Sequence, residues 1–480
     1  MSKFLQQIFS VKNEDCHKTL TILGIKVKFK RKKNKIADII NCTNNLIGNL
    51  DDLNEFRFYQ AVNKTKEAAL KAKIRETHKC RVLFILTHMA KFGMETVYKA
   101  MEESDLFEPE ILICAADNGF KEEQGEQWWQ DALESYKLFK SYGYKTTFAY
   151  DMNQKKPVDI QDFKPDIVFF NDPNLHKVSY FKNQLLNFNF LTCYIPYGCD
   201  MVNSFEYHYE HKPSVQAWKY FFPHRFGFNI SCNLSKYKGL NAVLTGYPKL
   251  DEYEKEYYEI PEKINNNKKT IIYAPHWSIT TVNSNPNLNR NIDESRANSS
   301  LSTFWYYAGL FSELREKYQD INWVFKPHPN LVYSIIGQKN DPDIMSYEEY
   351  MKYIKNWDEA PNGVYLNSFE YINLFKHSDL LITDCGSFVG EWLPSKHPCI
   401  YLLNPKSGNW RNNYNSLANK ILDTYYLCRN KEEILENFEK IILNNIDEKK
   451  DTRLKILDEE FDYIGCAGEK IVEYLESVLT

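Results

Sequence analysis

Four segments in the second half of the chain carry residue types that can bind or activate an anion. They are GYPKLD (246–251), YAPHWS (273–278), FKPHPN (325–330) and ITDCGSFVGEW (382–392). Each ends or follows an apolar run of strand length, and in open parallel sheets ligands gather at the carboxyl ends of strands. In the last segment Asp384, Cys385, Gly386 and Ser387 lead into a stretch that reads as an amphipathic helix through Glu391 and Trp392. A helix start offers free N–H groups and the positive end of its dipole. Gly386 would let a phosphate approach the backbone, and Ser387 would add a hydroxyl donor. A diphosphate is the expected ligand. Asp384 and Ser387 also suit simple capping, and Glu391 is expected either to accept from a ribose diol or to lie on the helix surface.

Lys326 and His328 alternate with Pro327 and Pro329, which stiffen the turn so that both side chains keep their aim. Lys326 is expected to act as a point charge on a phosphate, and His328 as a donor to phosphate or a proton shuttle. His276 and Trp277 occupy the corresponding turn after KTIIYA, with Trp277 expected to pack in a cleft. In the first half, Tyr197-Gly198 follows LTCYIP, and His88 follows RVLFILT. Both are expected on the acceptor side.

The elements that must position these groups are read from periodicity. RVLFIL (81–86), EILICA (110–115), KTTFAY (145–150), DIVFFN (166–171) and LTCYI (191–195) are buried parallel strands separated by helix-length segments such as 94–103 and 124–141. A second alternation runs from NAVLTG (241–246) through KTIIYA, NWVFKP, GVYLN and DLLITD to CIYLL (399–403). The fold class is therefore α/β, two Rossmann-like doubly wound domains facing a cleft. The expected division is an N-terminal appendage over 1–79, an acceptor domain over 80–215, a nucleotide-donor domain over 216–430 and C-terminal helices over 431–480. The polar stretch 278–303 reads as a lid or an inert insertion.

Bulk properties exclude several classes. The chain has 480 residues, 60 basic and 64 acidic side chains and a net charge of −4, so no overall field draws it to nucleic acid. Eleven cysteines without a CxxC pair argue against a zinc site or a secreted disulfide framework. No stretch reads as a signal peptide or a membrane span, so the expected location is cytoplasmic. KVKFKRKKNK (26–35) carries seven cationic side chains and reads as a charged linker or as a contact to an anionic membrane surface.

With its four segments in this order, the stretch over roughly 190–405 resembles the CDP-glycerol glycerophosphotransferase family, which builds teichoic-acid-type polymers and related capsule backbones. That family runs through TGYPRxD, YAPTW, KxHP and ISDYSS…D; this chain reads TGYPKLD, YAPHW, KPHP and ITDCGS…E. The resemblance implies a GT-B fold, a nucleotide-diphosphate donor on the C-terminal domain, metal-free transfer with no cofactor, and a membrane-associated polysaccharide or lipid-linked acceptor. Tyr197 stands where the family's WHG motif has the histidine usually taken as base. Ser278 replaces an arginine and Gly386 a serine, so Arg290 or Arg296 would have to supply lost charge. The N-terminal opening is similar to the leader of epsilon-proteobacterial surface-polysaccharide glycosyltransferases.

The resulting expectation is a transferase, peripheral on the inner face of the cell membrane, moving glycerol phosphate or a related group from a CDP-linked donor by displacement at phosphorus. Catalytic candidates are His328, Tyr197 and His276. Lys326, Asp384, Gly386, Ser387 and Glu391 would hold the donor; His88 and Gly198 would face the acceptor. A GT-B glycosyltransferase using a nucleotide sugar and an inactive membrane scaffold are the alternatives.

Overall fold

The computed structural model describes the chain apart from residues 1–8, 15–16, 23–24, 31–32, 88–91, 115–121, 152–155, 173–188, 256–259, 279–301, 338–344, 368–370 and 405–409. At 1–50, 122–128, 156–157, 333 and 337 it describes the backbone alone. His88, Arg290, Arg296 and nearly all of the expected lid lie outside the described residues. The chain forms two compact units, Met1–Tyr59 and Gln60–Thr480. In the first, β1 (Phe9–Glu14), β2 (His17–Ile22) and β3 (Ile25–Lys30) pair antiparallel in that order, and the helix Lys33–Thr77 begins. The basic stretch 26–35 thus covers most of β3 and the start of that helix.

The second unit holds two parallel sheets. The first uses β4 (Cys80–Leu86), β5 (Phe107–Ile113), β6 (Thr146–Phe148), β9 (Ile167–Phe170), β10 (Leu191–Tyr194), β11 (Lys219–Phe222) and β12 (Ala242–Leu244); β7 (Tyr150–Asp151) and β8 (Lys156–Pro157) form a small antiparallel pair beside it. Its order is β12-β11-β10-β9-β4-β5-β6. The chain starts at β4, winds outward to β6 and returns to β9 on the other side, so the strand order reverses between β4 and β9. The second sheet repeats this plan with β13 (Thr270–Ala274), β14 (Asn322–Phe325), β15 (Gly363–Tyr365), β16 (Leu380–Thr383), β17 (Cys399–Leu402) and β18 (Tyr426–Cys428), in the order β15-β14-β13-β16-β17-β18. Every residue of β9, β13, β14, β16 and β17 is buried. Helices on both faces demand this, and the sequence answers with unbroken apolar runs instead of alternation. Two doubly wound domains of this kind constitute the GT-B architecture.

The expected boundaries need correction in three places. Ala242–Leu244, read as the start of the second alternation, is the outer strand of the first sheet, beside β11; the boundary at 215 therefore cuts through the first domain. Residues 60–79 are part of the second unit, not of a separate appendage: Leu70 and Ile74 enter the first sheet's core, and Lys73 binds both oxygens of Asp166. The last helix, Ala467–Leu479, also returns to that core through Ile471, Leu475 and Leu479. A three-residue apolar run such as AVL cannot reveal which sheet it joins, because that is decided by pairing partners far away in sequence.

Between the sheets the chain crosses twice, and the crossings touch. Gly246 has φ +81, and a Cβ there would lie 2.6 Å from the carbonyl oxygen of Asp462 on the return crossing. Asp251 then accepts from the N–H groups of Ala467 and Gly468 at 2.8 Å each and from the Thr96 hydroxyl at 2.6 Å. One carboxylate thus satisfies two free donors at the start of the last helix and ties it to the first domain.

Candidate functional site

The order reversal in the second sheet lies between β13 and β16, so the crevice is built from the turns after β13, β14 and β16. Thr383, the last residue of β16, donates its hydroxyl to the Ala274 carbonyl at 2.6 Å and accepts from the Cys385 N–H at 2.9 Å. This fixes both strand ends. Asp384 is wholly engaged in the same work: one oxygen accepts from the His276 N–H at 2.5 Å, the other from the N–H and hydroxyl of Thr303 and from the Ser302 hydroxyl. The expectation that Asp384 binds donor is corrected accordingly. Its lone pairs face protein donors, and a bare carboxylate would repel a diphosphate.

His276 and His328 stand 5.6 Å apart, ring centre to ring centre, with Trp277 6.2 Å from His328. Trp277 is 39% exposed and therefore lines the opening instead of filling it. The His328 N–H donates to the Pro275 carbonyl at 3.0 Å, locking the KPHP turn to the end of β13. His328 Nδ1 accepts from the Asn330 N–H at 3.1 Å, and His276 Nδ1 from the Ser278 N–H at 3.2 Å. An acceptor nitrogen carries no proton, so hydrogen-bond logic assigns the proton of each neutral ring to Nε2. Burial, then the neighbouring His276 and Lys326, depress the His328 pKa from 6.5 to about 3; burial also lowers that of His276, against the pull of Asp384. Both rings are neutral N–H donors near pH 7.

Behind them sits a buried charge cluster. Lys326 is 3% exposed, and its ammonium lies 4.4 Å from the centre of the Tyr371 ring and 5.4 Å from that of Phe388. Lys249 approaches the same Tyr371 ring at 4.1 Å, donates to the Tyr371 hydroxyl at 2.6 Å and pairs with Glu391 at 3.7 Å; the Tyr371 hydroxyl in turn donates to Glu391. Among the described residues Lys326 has no carboxylate partner. Among the described residues two ammonium groups therefore share one carboxylate, which leaves positive charge in excess at the crevice. Burial, followed by Lys249, lowers the Lys326 pKa to about 8.

Glu391 is not the surface residue or free ribose acceptor that sequence suggests. Phe388–Trp392 is buried on every side, so the amphipathic reading fails, and the Glu391 carboxylate is spent on Tyr371 and Lys249. Gly386 needs its missing side chain for another reason: a Cβ would lie 2.9 Å from the Tyr414 hydroxyl, which already fills that space. Ser387 is exposed and makes no capping bond, its hydroxyl lying 3.0 Å from the Cys385 sulfur. Lys249 is the residue that sequence reading passed over. The signal was available, since Lys249 occupies the basic position of TGYPKLD, but its part in the crevice depends on the interdomain crossing.

On the first domain, Tyr197 is 43% exposed and Gly198 has open space where a side chain would be. Both lie on the turn after β10. That turn is fastened to the second domain: the Met201 carbonyl accepts from the Asn415 N–H at 3.0 Å, and the Asn203 N–H donates to the Asn413 carbonyl at 2.7 Å. A cavity of about 510 Å³ lies elsewhere, at the mouths of β17 and β18 between Trp410, Arg411 and Arg429.

Residues 198–476 match the sequence profile of the CDP-glycerol:poly(glycerophosphate) glycerophosphotransferase family. The chain belongs to this family. The matched stretch contains the whole crevice and Gly198, while Tyr197 falls just outside it. No curated protein sequence is significantly similar to the full chain. Among solved structures, a putative UDP-N-acetylglucosamine 2-epimerase from Listeria monocytogenes is 15% identical, with a TM-score of 0.50 over 83% of this chain and 96% of that one. S. aureus MnaA, solved with UDP, is likewise 15% identical, with a TM-score of 0.50 over 83% of this chain and 97% of that one. At such identity these likenesses establish the shared fold of a glycerophosphotransferase-family chain and nothing about its ligand.

Proposed function

We propose that the chain transfers glycerol phosphate, or a related alditol phosphate, from a CDP-linked donor onto a surface polymer. The observation that carries this reading is the buried Lys326 ammonium, which among the described residues has no carboxylate of its own, beside two neutral imidazole donors at the order reversal of the second sheet. An uncompensated buried cation is costly unless an anion meets it, and a diphosphate supplies that anion. Lys326 supplies charge, and the Nε2–H groups of His276 and His328 supply directional hydrogen bonds. Ser387 contributes a hydroxyl at the opening.

In the reaction, an acceptor hydroxyl oxygen attacks the phosphorus next to glycerol. The P–O bond to the bridging oxygen breaks, and CMP leaves, not CDP, because the transferred group takes one of the two phosphorus atoms. The hydroxyl proton is lost to solvent or to a base on the acceptor side. Positioning and charge neutralisation account for most of the rate in such phosphoryl chemistry. The acceptor would lie against Tyr197 and Gly198. The basic stretch 26–35 would hold the protein to an anionic inner membrane face; among the described residues no helix is long and apolar enough to cross a membrane.

One observation favours a second reading, transfer of a sugar from a nucleotide sugar: Tyr197 stands where the resemblance leads one to expect a histidine. Both are tested by incubating the full chain with CDP-glycerol, CDP-ribitol and nucleotide sugars together with a glycerol-phosphate oligomer, then resolving products by mass spectrometry. CMP release with lengthened oligomer supports the proposal. Release of a nucleoside diphosphate from a nucleotide sugar, with CDP-glycerol untouched, transfers the assignment to the glycosyltransferase reading.

A further inference from the structure

The turn after β10 contains a feature that the donor crevice does not explain. Asp200 adopts a left-handed backbone, φ +47, at a non-glycine position. Such a conformation costs of order 1 kcal/mol and persists only where the surroundings enforce it. Two contacts enforce it. The Asp200 carbonyl accepts from the Asn415 side chain of the second domain at 2.5 Å. The Asp200 carboxylate lies 3.1 Å from His208 Nδ1, with both side chains about nine-tenths buried. Tyr220 holds His208 from behind, donating to its carbonyl at 2.8 Å. Among the described residues, three atoms in this cluster, Asp200 Oδ2, His208 Nε2 and the Tyr209 hydroxyl, are buried without a hydrogen-bond partner. Neutralising one partner of such a buried pair leaves the other charge uncompensated, which is strongly destabilising.

We propose that the Asp200–His208 ion pair is a positioning device for the reaction, holding the turn 197–203 against the second domain while His208 is protonated and releasing it when His208 loses its proton. This deepens the reading given under Proposed function, which places the acceptor beside Tyr197 and Gly198. His208 does not touch substrate; it acts through the turn. The titratable groups around the pair are Asp172 after β9, Tyr194 on β10, Tyr220 on β11, Tyr207 and Tyr209 on the short helix Phe205–Tyr209, and His224. Burial raises Tyr194, Tyr209 and Tyr220 and keeps them neutral; it lowers His224, which donates Nε2–H to the Cys199 carbonyl at 3.0 Å. For His208 burial acts downward, but Asp200, its hydrogen bond and the Val202 carbonyl outweigh it and raise the pKa. The sign follows: the pair is intact below the raised pKa and is lost as pH rises through it.

The test is hydrogen exchange by mass spectrometry on the full chain, following backbone amides of 197–204 across pH 6 to 9.5 with intrinsic rates corrected. Wild type is expected to lose protection there as pH rises. His208→Asn removes the titrating group and should make protection independent of pH. Asp200→Asn keeps a residue that tolerates the left-handed backbone but removes the charge, and should move the transition to lower pH. Pure structural loss would instead lower protection throughout each variant at every pH. Protection that does not depend on pH in wild type, or an unshifted transition in both variants, overturns the proposal. Because this readout needs no turnover, it stands apart from the donor assignment. Where CMP release is also measured, kcat should fall with the same transition while KM for the donor holds. A chain that releases no CMP refutes the functional reading and leaves the exchange result to decide this one.

Discussion

Replacing Lys326 by methionine should weaken donor binding and yet stabilise the free protein. Methionine keeps the length and apolar stem that pack against Tyr371 and Phe388 but removes the ammonium. A charge-assisted hydrogen bond to phosphate is worth about 1.5–3 kcal/mol, so Kd for CDP should rise about 10- to 150-fold. The stability term has the opposite sign. The lysine pKa falls from 10.5 to about 8 on folding, which makes the ammonium about 3 kcal/mol less favourable in the folded protein than in the unfolded chain at pH 7. Between pH 8 and 10.5 the unfolded chain binds more protons than the folded one. Wild-type stability therefore climbs through that window, and the advantage of Lys326→Met shrinks. Thermal melts at pH 7 and pH 10, with calorimetric titration of CDP on the same preparations, measure both effects. A variant that melts lower than wild type at pH 7, or binds CDP equally well, refutes the argument that Lys326 is an uncompensated cation waiting for an anion.

Three further outcomes are expected. His328→Ala should lower kcat by about 100- to 1,000-fold, more than it weakens CDP binding, because its Nε2–H bond strengthens as charge grows on the leaving phosphate; early melting with normal turnover per folded molecule would make it structural. Acid should destabilise the protein as pH falls from 6.5 toward 3, since the folded state holds His328 and His276 neutral against protonation; His328→Asn should flatten melting temperature against pH in that window. Asp251→Ala should cost about 2–4 kcal/mol by leaving the Ala467 and Gly468 N–H groups unpaired, seen as a lower melting temperature with unchanged CDP affinity per folded molecule.

Much of the second sheet was legible because fully buried parallel strands leave unbroken apolar runs: KTIIYA, NWVFKP, GVYLN, DLLITD and CIYLL all appear as strands at those positions. Two short strands, Lys219–Phe222 and Tyr426–Cys428, were not read. KYFF and YLC carry too few residues to stand out, and only pairing with β10 and β17 makes them strands. The crevice was legible in its backbone: the turns holding His276, Lys326, His328 and Ser387 do meet at one order reversal. What sequence did not reveal was which polar groups are already spent. Asp384 and Glu391 look like ligands in a linear reading, but long-range partners at Thr303, Tyr371 and Lys249 consume them. The Asp200–His208 pair is invisible for the same reason. An aspartate and a histidine eight positions apart acquire meaning only when the turn between them folds back and a second domain clamps it.

The central claim is that the donor's diphosphate occupies the mouth of β13, β14 and β16. A crystal structure of the full chain with CDP tests it most directly. The account predicts both phosphates at that mouth, with oxygens within hydrogen-bond reach of Lys326 Nζ and His328 Nε2. Phosphates found instead in the cavity between Trp410, Arg411 and Arg429, or on the first domain, with Lys326 still uncontacted, would contradict it.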